Sequence, residues 1–223
     1  MSGTIALQGG GPFTANDDLD ARLLTQVLGP TGGRVVVLPT ADAFEHPDRL
    51  VTSALAWSQR LPVHGLDVDA LMVMRRGEAM EPATAEAVRS ARAVYLVGDQ
   101  PLHLRSVLKD TLVWAAIVEV LAADGLVVGV GPSASGLCDP MVDPRGGAFT
   151  LGLGLLTGMA VVTGLEQWSA ERLHRTLAMA NTPVACMPTG AALVRRDGIG
   201  ENGIGANGIW ETVGDVDLHG DLP

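Results

Sequence analysis

The sequence predicts an α/β fold with a mostly parallel central sheet and helices on both faces, a flavodoxin-like three-layer sandwich. Two patterns carry that expectation. Short β-branched runs alternate along the chain with longer segments whose apolar residues recur at helical spacing. The runs themselves are apolar nearly throughout, as strands covered on both faces must be. The length of 223 residues suits one sizeable core, because two cores would each be small.

In chain order, strands are expected at Thr4 to Gln8, Arg34 to Pro39, roughly Ala70 to Met74, Ala93 to Val97 and Val127 to Gly131. Helices are expected between them at Asp17 to Leu28, Pro47 to Leu61, Pro82 to Ala91 and Leu112 to Ala123, with a further one over Gln100 to Leu108. Past Ser133 the pattern loosens. A glycine-rich piece covers Gly146 to Gly158, Glu166 to Ala180 reads as helix, and Pro183 to Arg195 reads as extended. Glycines recurring through Asp197 to Gly208 suit a hairpin or loop, and Ile209 to Val213 reads as a last strand. Residues 1–215 are thus expected as one domain, with 216–223 as a disordered acidic tail.

Composition narrows the function classes. No run reaches the eighteen apolar residues that a membrane span needs, and the first residues lack a basic stretch followed by a long apolar one. A cytoplasmic protein with no membrane partner is expected. A formal charge of -10 and an aromatic content of 4% argue against nucleic acid, which calls for basic and stacking surfaces. The two cysteines, Cys138 and Cys186, do not suggest a disulfide framework. A small peptide or an amino-acid-derived molecule is the expected partner.

The segment Val127 to Gly136 (VVGVGPSASG) reads as a buried strand entering a tight turn with Ser133 at its apex and a helix just beyond. Such an elbow lifts a serine oxygen to the end of a strand and aims the next N–H, here Ala134, at a developing oxyanion. Ser135 stands where G-x-S-x-G has its second glycine. The plainer alternative is a strand-to-helix turn with serine caps. The cluster Gly9, Gly10 and Gly11 is a poor dinucleotide loop, since Pro12 and Phe13 interrupt the pattern that loop requires.

Several segments in one order give the chain a family resemblance. They are Ile5 to Phe13 (IALQGGGPF), Val36 to Ala41 (VVLPTA), Val94 to Gln100 (containing YLVGDQ), Gly131 to Leu137 (GPSASGL), Leu151 to Gly158 (LGLGLLTG) and Ala191 to Val194 (AALV). The chain resembles the cyanophycinase and peptidase E serine peptidases, and the resemblance spans nearly all of it. It implies a fold similar to class I glutamine amidotransferases and cleavage of amide bonds beside acidic residues, without metal or other cofactor. By position it implies Ser133 as nucleophile, Gly98 and Ala134 as oxyanion donors, and Asp99, Gln100 and Gly10 beside the substrate. Asp99 also suits a helix N-cap.

The chain departs from the resembled family at the general base. The family's histidine belongs in a window that here reads Val162 to Ser169 (VTGLEQWS) and holds no histidine. His174 is the nearest substitute and His103 the next, while His46, His64 and His219 suit solvent. Asp139, Asp143 or Glu166 could orient a base, although capping or solvation suits all three. Pro188-Thr189 stands where relatives often carry an acidic pair. Arg172 and Arg175 could receive a substrate carboxylate. Two readings stay open: a serine hydrolase with an unconventional base, and a scaffold that kept the pocket for binding after losing proton transfer. An amidotransferase subunit would need a cysteine nucleophile, and Cys138 lies beyond the elbow. A homodimer is compatible with the resemblance.

Overall fold

A computed structural model of the chain describes residues 3–196, 199–200, 203–204 and 208–223. The first half alternates regularly: β1 (Thr4–Gln8), α1 (Asp17–Leu28), β2 (Gly33–Leu38), α2 (Pro47–Arg60), β3 (Leu66–Ala70), α3 (Arg76–Ala79), α4 (Pro82–Arg89), β4 (Ala93–Leu96), α5 (Pro101–Leu108), α6 (Leu112–Ala122), β5 (Leu126–Val130) and α7 (Pro132–Leu137). Shorter pieces follow: β6 (Cys138–Asp139), β7 (Met141–Val142), β8 (Phe149–Thr150), β9 (Leu156–Thr157), β10 (Ala160–Thr163), α8 (Ala170–Met179), β11 (Val184–Met187), β12 (Ala192–Arg196), β13 (Ile199–Gly200), β14 (Gly203–Ile204), β15 (Ile209–Val213) and β16 (Asp217–His219).

Seven strands form the main sheet in the order β15-β12-β1-β5-β4-β2-β3. The five from β1 to β3 run parallel, and β12 and β15 add antiparallel strands beyond β1. Successive residues of one strand serve opposite faces, so Ile5 and Leu7 join one core while Ala6 joins the other. Helices α4, α5 and α6 pack Val88, Leu104 and Ile117 into the first core. On the opposite face, α1 and α2 bring Leu23, Leu24 and Trp57 into the second. Trp57 is fully buried and stacks obliquely between Phe13 and Tyr95, each with its ring centre 5.2 Å away. The α/β architecture expected from the alternation is the one present.

Four segments differ from expectation. Strand β3 occupies Leu66–Ala70, four residues before the expected run. It is an edge strand paired only with β2, so its apolar residues alternate with Asp67 and Asp69 instead of running together. The more apolar stretch after it turns, with Val73 N–H bonded to Leu71 O at 2.9 Å, and buries Val73. The helix expected from Glu166 begins only at Ala170, after a 3-10 turn over Leu165–Gln167, because the Ser169 hydroxyl caps it by accepting the Arg172 N–H. The extended piece from Pro183 is two strands in different sheets, β11 in a smaller sheet of order β10-β11-β16 and β12 in the main one.

The acidic C-terminal end, expected to be disordered, holds β16, which pairs antiparallel with β11. Strand β11 would otherwise present an open edge there. Within the expected Asp197 to Gly208 hairpin, Ile199–Gly200 pairs antiparallel with Gly203–Ile204, and residues 197, 198, 201, 202 and 205–207 lie outside the described residues. Both cysteines are free, buried thiols. Among the described residues no helix is long and apolar enough to cross a membrane.

Candidate functional site

Parallel sheets gather their loops at the carboxyl ends of the strands, and a cleft of about 410 Å³ opens there. The loop after β1 supplies Gly9 to Pro12, the turn after β2 supplies Asp42, the end of β4 supplies Gly98 and Asp99, and β5 supplies Val130 and Gly131. The opposite wall comes from the region after β10, with Thr163, Gly164, Gln167 and Trp168, and from Arg172 on α8. Thr189 closes the side nearest β12.

The strand-to-helix elbow is present, but Ser133 is not its apex. Strand β5 ends at Val130 and α7 begins at Pro132, so the single residue between them, Gly131, makes the turn with φ 60° and ψ -138°. That positive φ is the strained geometry that lifts a nucleophile out of a sheet. A Cβ placed on Gly131 would meet only Gly10 Cα, at 3.9 Å, so its missing side chain would have entered the cleft. Gly129, two residues earlier, is the close-packing glycine, where a Cβ would lie 2.7 Å from Ala134 Cα on α7. Laid so that its central residue coincides with the turn, G-x-S-x-G would span Gly129-Val130-Gly131-Pro132-Ser133, with glycine at the turn.

The expectation that Ser133 stands at the apex of the elbow is accordingly corrected. Ser133 lies inside α7, is completely buried, and does not line the cleft. Its hydroxyl donates to Gly98 O at 2.9 Å, a bond that ties α7 to the end of β4. Ala134 is also fully buried outside the cleft, and its N–H closes the turn onto Gly131 O at 2.9 Å instead of facing a ligand. The residue after the elbow, which supplies the oxyanion N–H in such sites, is Pro132 and has no N–H.

The other expected residues divide between the cleft and its surroundings. Gly98, Asp99, Gly10 and Arg172 line the cleft. Gln100 does not. It is the residue preceding α5, and its N–H bonds back to Ala41 O at 2.9 Å. His174 is exposed on α8 and absent from the lining, because α8 turns Arg172, two residues earlier, toward the cleft. His103 is held elsewhere, with Nε2 3.0 Å from Met74 O and its ring against Phe44. Asp143 pairs with Arg145, and Asp139 accepts the Gly152 N–H, so neither serves the cleft. Arg175 is exposed outside it.

Asp42 and Trp168 are the lining residues with the most chemistry that sequence reasoning had not singled out as site residues. Asp42 sits one residue beyond the VVLPTA segment, at the end of a buried strand, where ligand-facing residues of parallel sheets gather. Trp168 forms a platform: the Arg172 guanidinium carbon lies 3.9 Å from its ring centre. Two of the Arg172 N–H groups also donate to Pro144 O and Gln167 O, at 3.3 and 3.2 Å.

Charge in the cleft is uneven. Burial raises the Asp99 carboxyl above the usual carboxylate range, and Asp42 and Glu45 nearby raise it further. Asp42 is raised by burial and by Glu45, offset in part by the His46 N–H that it accepts. Glu166 acts differently. It lies outside the cleft lining, yet its carboxylate accepts both the Thr189 hydroxyl at 2.5 Å and the Thr189 N–H at 3.1 Å, bonds that lower its pKa. This clamp joins the region after β10 to the loop before β12. Glu166→Ala is expected to release residues 188–191, seen as several-fold faster amide exchange there, with a stability loss of only about 0.5–1 kcal/mol because the pair is exposed.

No protein-family model and no curated protein matches the chain. Solved structures do. The chain is similar to a peptidase from an acI-B1 Actinobacterium, with a TM-score of 0.77 and 21% identity over 98% of each chain. It is also similar to a candidate peptidase E protein from Listeria monocytogenes EGD-e, with a TM-score of 0.68 and 17% identity over 95% of this chain and 98% of that one. The peptidase E-type fold is thus shared end to end.

Proposed function

We propose that this protein is a non-hydrolytic member of the peptidase E-like group, a scaffold that binds a small ligand in the cleft its relatives use for peptide cleavage. The observation that carries the reading is the elbow, where Gly131 brings no nucleophile and Pro132 brings no oxyanion donor. Two adjacent losses of different kinds weigh more than one. The base adds a third, since Thr163, Gly164, Gln167 and Trp168 line the wall where the family's histidine belongs, and none can take a proton from a hydroxyl at neutral pH. The cleft itself is intact, and its volume suits an amino acid or a dipeptide.

Labelling with a fluorophosphonate probe, together with turnover on peptides containing α- and β-aspartyl bonds, tests this directly. Native protein and Ser133→Ala should be equally unlabelled, and both should match the uncatalysed rate. Turnover or labelling that disappears in Ser133→Ala would restore the hydrolase reading, with Ser133 as its nucleophile.

A further inference from the structure

We propose that Arg172 and Trp168 form a latch on the cleft wall, and that the ligand is a small molecule with one carboxylate, which opens the latch by drawing the guanidinium off the indole. This rests on the binding reading above and specifies both what the ligand carries and how the wall receives it.

Arg172 is a cation without a counter-ion. No carboxylate pairs with it among the described residues. Two of its N–H groups go to neutral carbonyls, Pro144 O at 3.3 Å and Gln167 O at 3.2 Å, at the long end of the hydrogen-bond range. Its Nε is buried and has no hydrogen-bond partner among those residues. A donor that is out of water and unpaired is costly, the more so on a charged group, so some state of the protein should satisfy it. The guanidinium carbon lies 3.9 Å from the Trp168 ring centre, and the indole covers one face of the fork. Because Nε is sealed from solvent, nothing entering the cleft can accept from it while the fork keeps this position.

A carboxylate supplies what this resting arrangement lacks. Its two oxygens match Nε and a terminal nitrogen side by side, a charge-assisted pair that replaces bonds to neutral oxygens. Reaching it requires the guanidinium to turn away from Pro144, Gln167 and Trp168, and the new pair offsets the lost cation–π contact. The other charged groups of the lining, Asp42 and Asp99, come from the facing wall and repel a second anionic group. One carboxylate therefore fits and two do not. Trp168 stands in the wall where the resembled family has its histidine, so the latch is made by this chain's own residues.

Isothermal titration of the full chain with N-acetylalanine, its primary amide and N-acetylaspartate tests the assignment. The monocarboxylate should bind, the amide should give no signal, and the dicarboxylate should bind more weakly than the monocarboxylate. Arg172→Gln should weaken N-acetylalanine binding tenfold or more. Trp168→Leu should strengthen it about fivefold, because no stack then has to be broken. Arg175→Gln, exposed and outside the cleft, should leave it unchanged. Thermal melting identifies the variants that fold, and the comparison of acid with amide needs only the native protein. Amide binding as tight as the acid's, N-acetylaspartate binding at least as tightly as N-acetylalanine, or no binding by any probe would each overturn the proposal. So would affinity indifferent to Arg172→Gln, or affinity unchanged or lowered by Trp168→Leu, which would make the indole a support for the ligand instead of a latch. Ser133-dependent turnover would remove the parent reading and leave these binding results standing.

Discussion

Gly131→Ser should fold, at a cost of about 1–3 kcal/mol, whereas Gly129→Val should lose upwards of about 4 kcal/mol and yield little soluble protein. The two glycines are two residues apart and are required for different reasons. At Gly131 the backbone is the difficulty: φ 60° with ψ -138° strains any residue with a Cβ, but the space beyond is open. At Gly129 the space is the difficulty. An added Cβ would stand 2.7 Å from Ala134 Cα, 2.8 Å from Leu137 Cδ1 and 3.0 Å from Ala134 N, so α7 would have to leave the sheet. Helix α7 buries Ala134, Leu137 and Ser133 completely, and none of them can follow that shift cheaply. Urea unfolding of both variants measures the difference. Equal costs would mean that Gly131 is not the strained apex, and the argument for a missing nucleophile would lose its geometric basis. Serine at 131 should also place its hydroxyl in the cleft.

The architecture was legible because it depends on alternation. Strand β1 and helix α1 lie where the apolar periodicity puts them, and β15 does too. The error at β3 has a physical cause: Leu66–Ala70 is half exposed and alternates, so the continuous apolar run beside it looked more strand-like. The elbow was harder. G-x-S-x-G can be laid on Gly131 to Ser135 or on Gly129 to Ser133, and the pair Ser133-Ala134 favours the first. Only the residue at which the backbone takes positive φ decides, and three small residues in a row leave that position open to either choice. The cleft was half legible for the same reason. Gly10, Gly98 and Asp99 follow strand ends directly and line it, whereas His174 and Arg172 lie on one helix whose start at Ala170 no periodicity located. A window with no histidine was readable from sequence, and it left open both an unconventional base and a binding scaffold.

Asp20→Asn should make the protein more stable in mild alkali and flatten its pH dependence. Asp20 lies on α1, almost wholly buried beneath the loop that follows β1, and its Oδ1 accepts Gln8 Nε2 at 2.7 Å and the Tyr95 hydroxyl at 3.0 Å. Burial pushes its pKa from 3.8 up to about 7, against the lowering effect of those two bonds. The folded protein therefore keeps a proton that the unfolded chain has released throughout the interval between those values. Stability contributed by Asp20 is fully present below about pH 4, falls as pH rises toward about 7, and is flat beyond, where both states are ionised. At about 1.4 kcal/mol for each pH unit the ionised side chain costs on the order of 4 kcal/mol near pH 8. Asparagine retains an oxygen for Gln8 and Tyr95 and carries no charge at any pH, so the penalty disappears. Urea unfolding of both proteins near pH 5.5 and near pH 8 isolates the effect, because every other titrating group is common to the two. The gap between them should widen in favour of Asp20→Asn as pH rises. Parallel curves would mean that Asp20 is already ionised when folded, and that water or an unseen cation reaches the polar cluster directly behind Gly9.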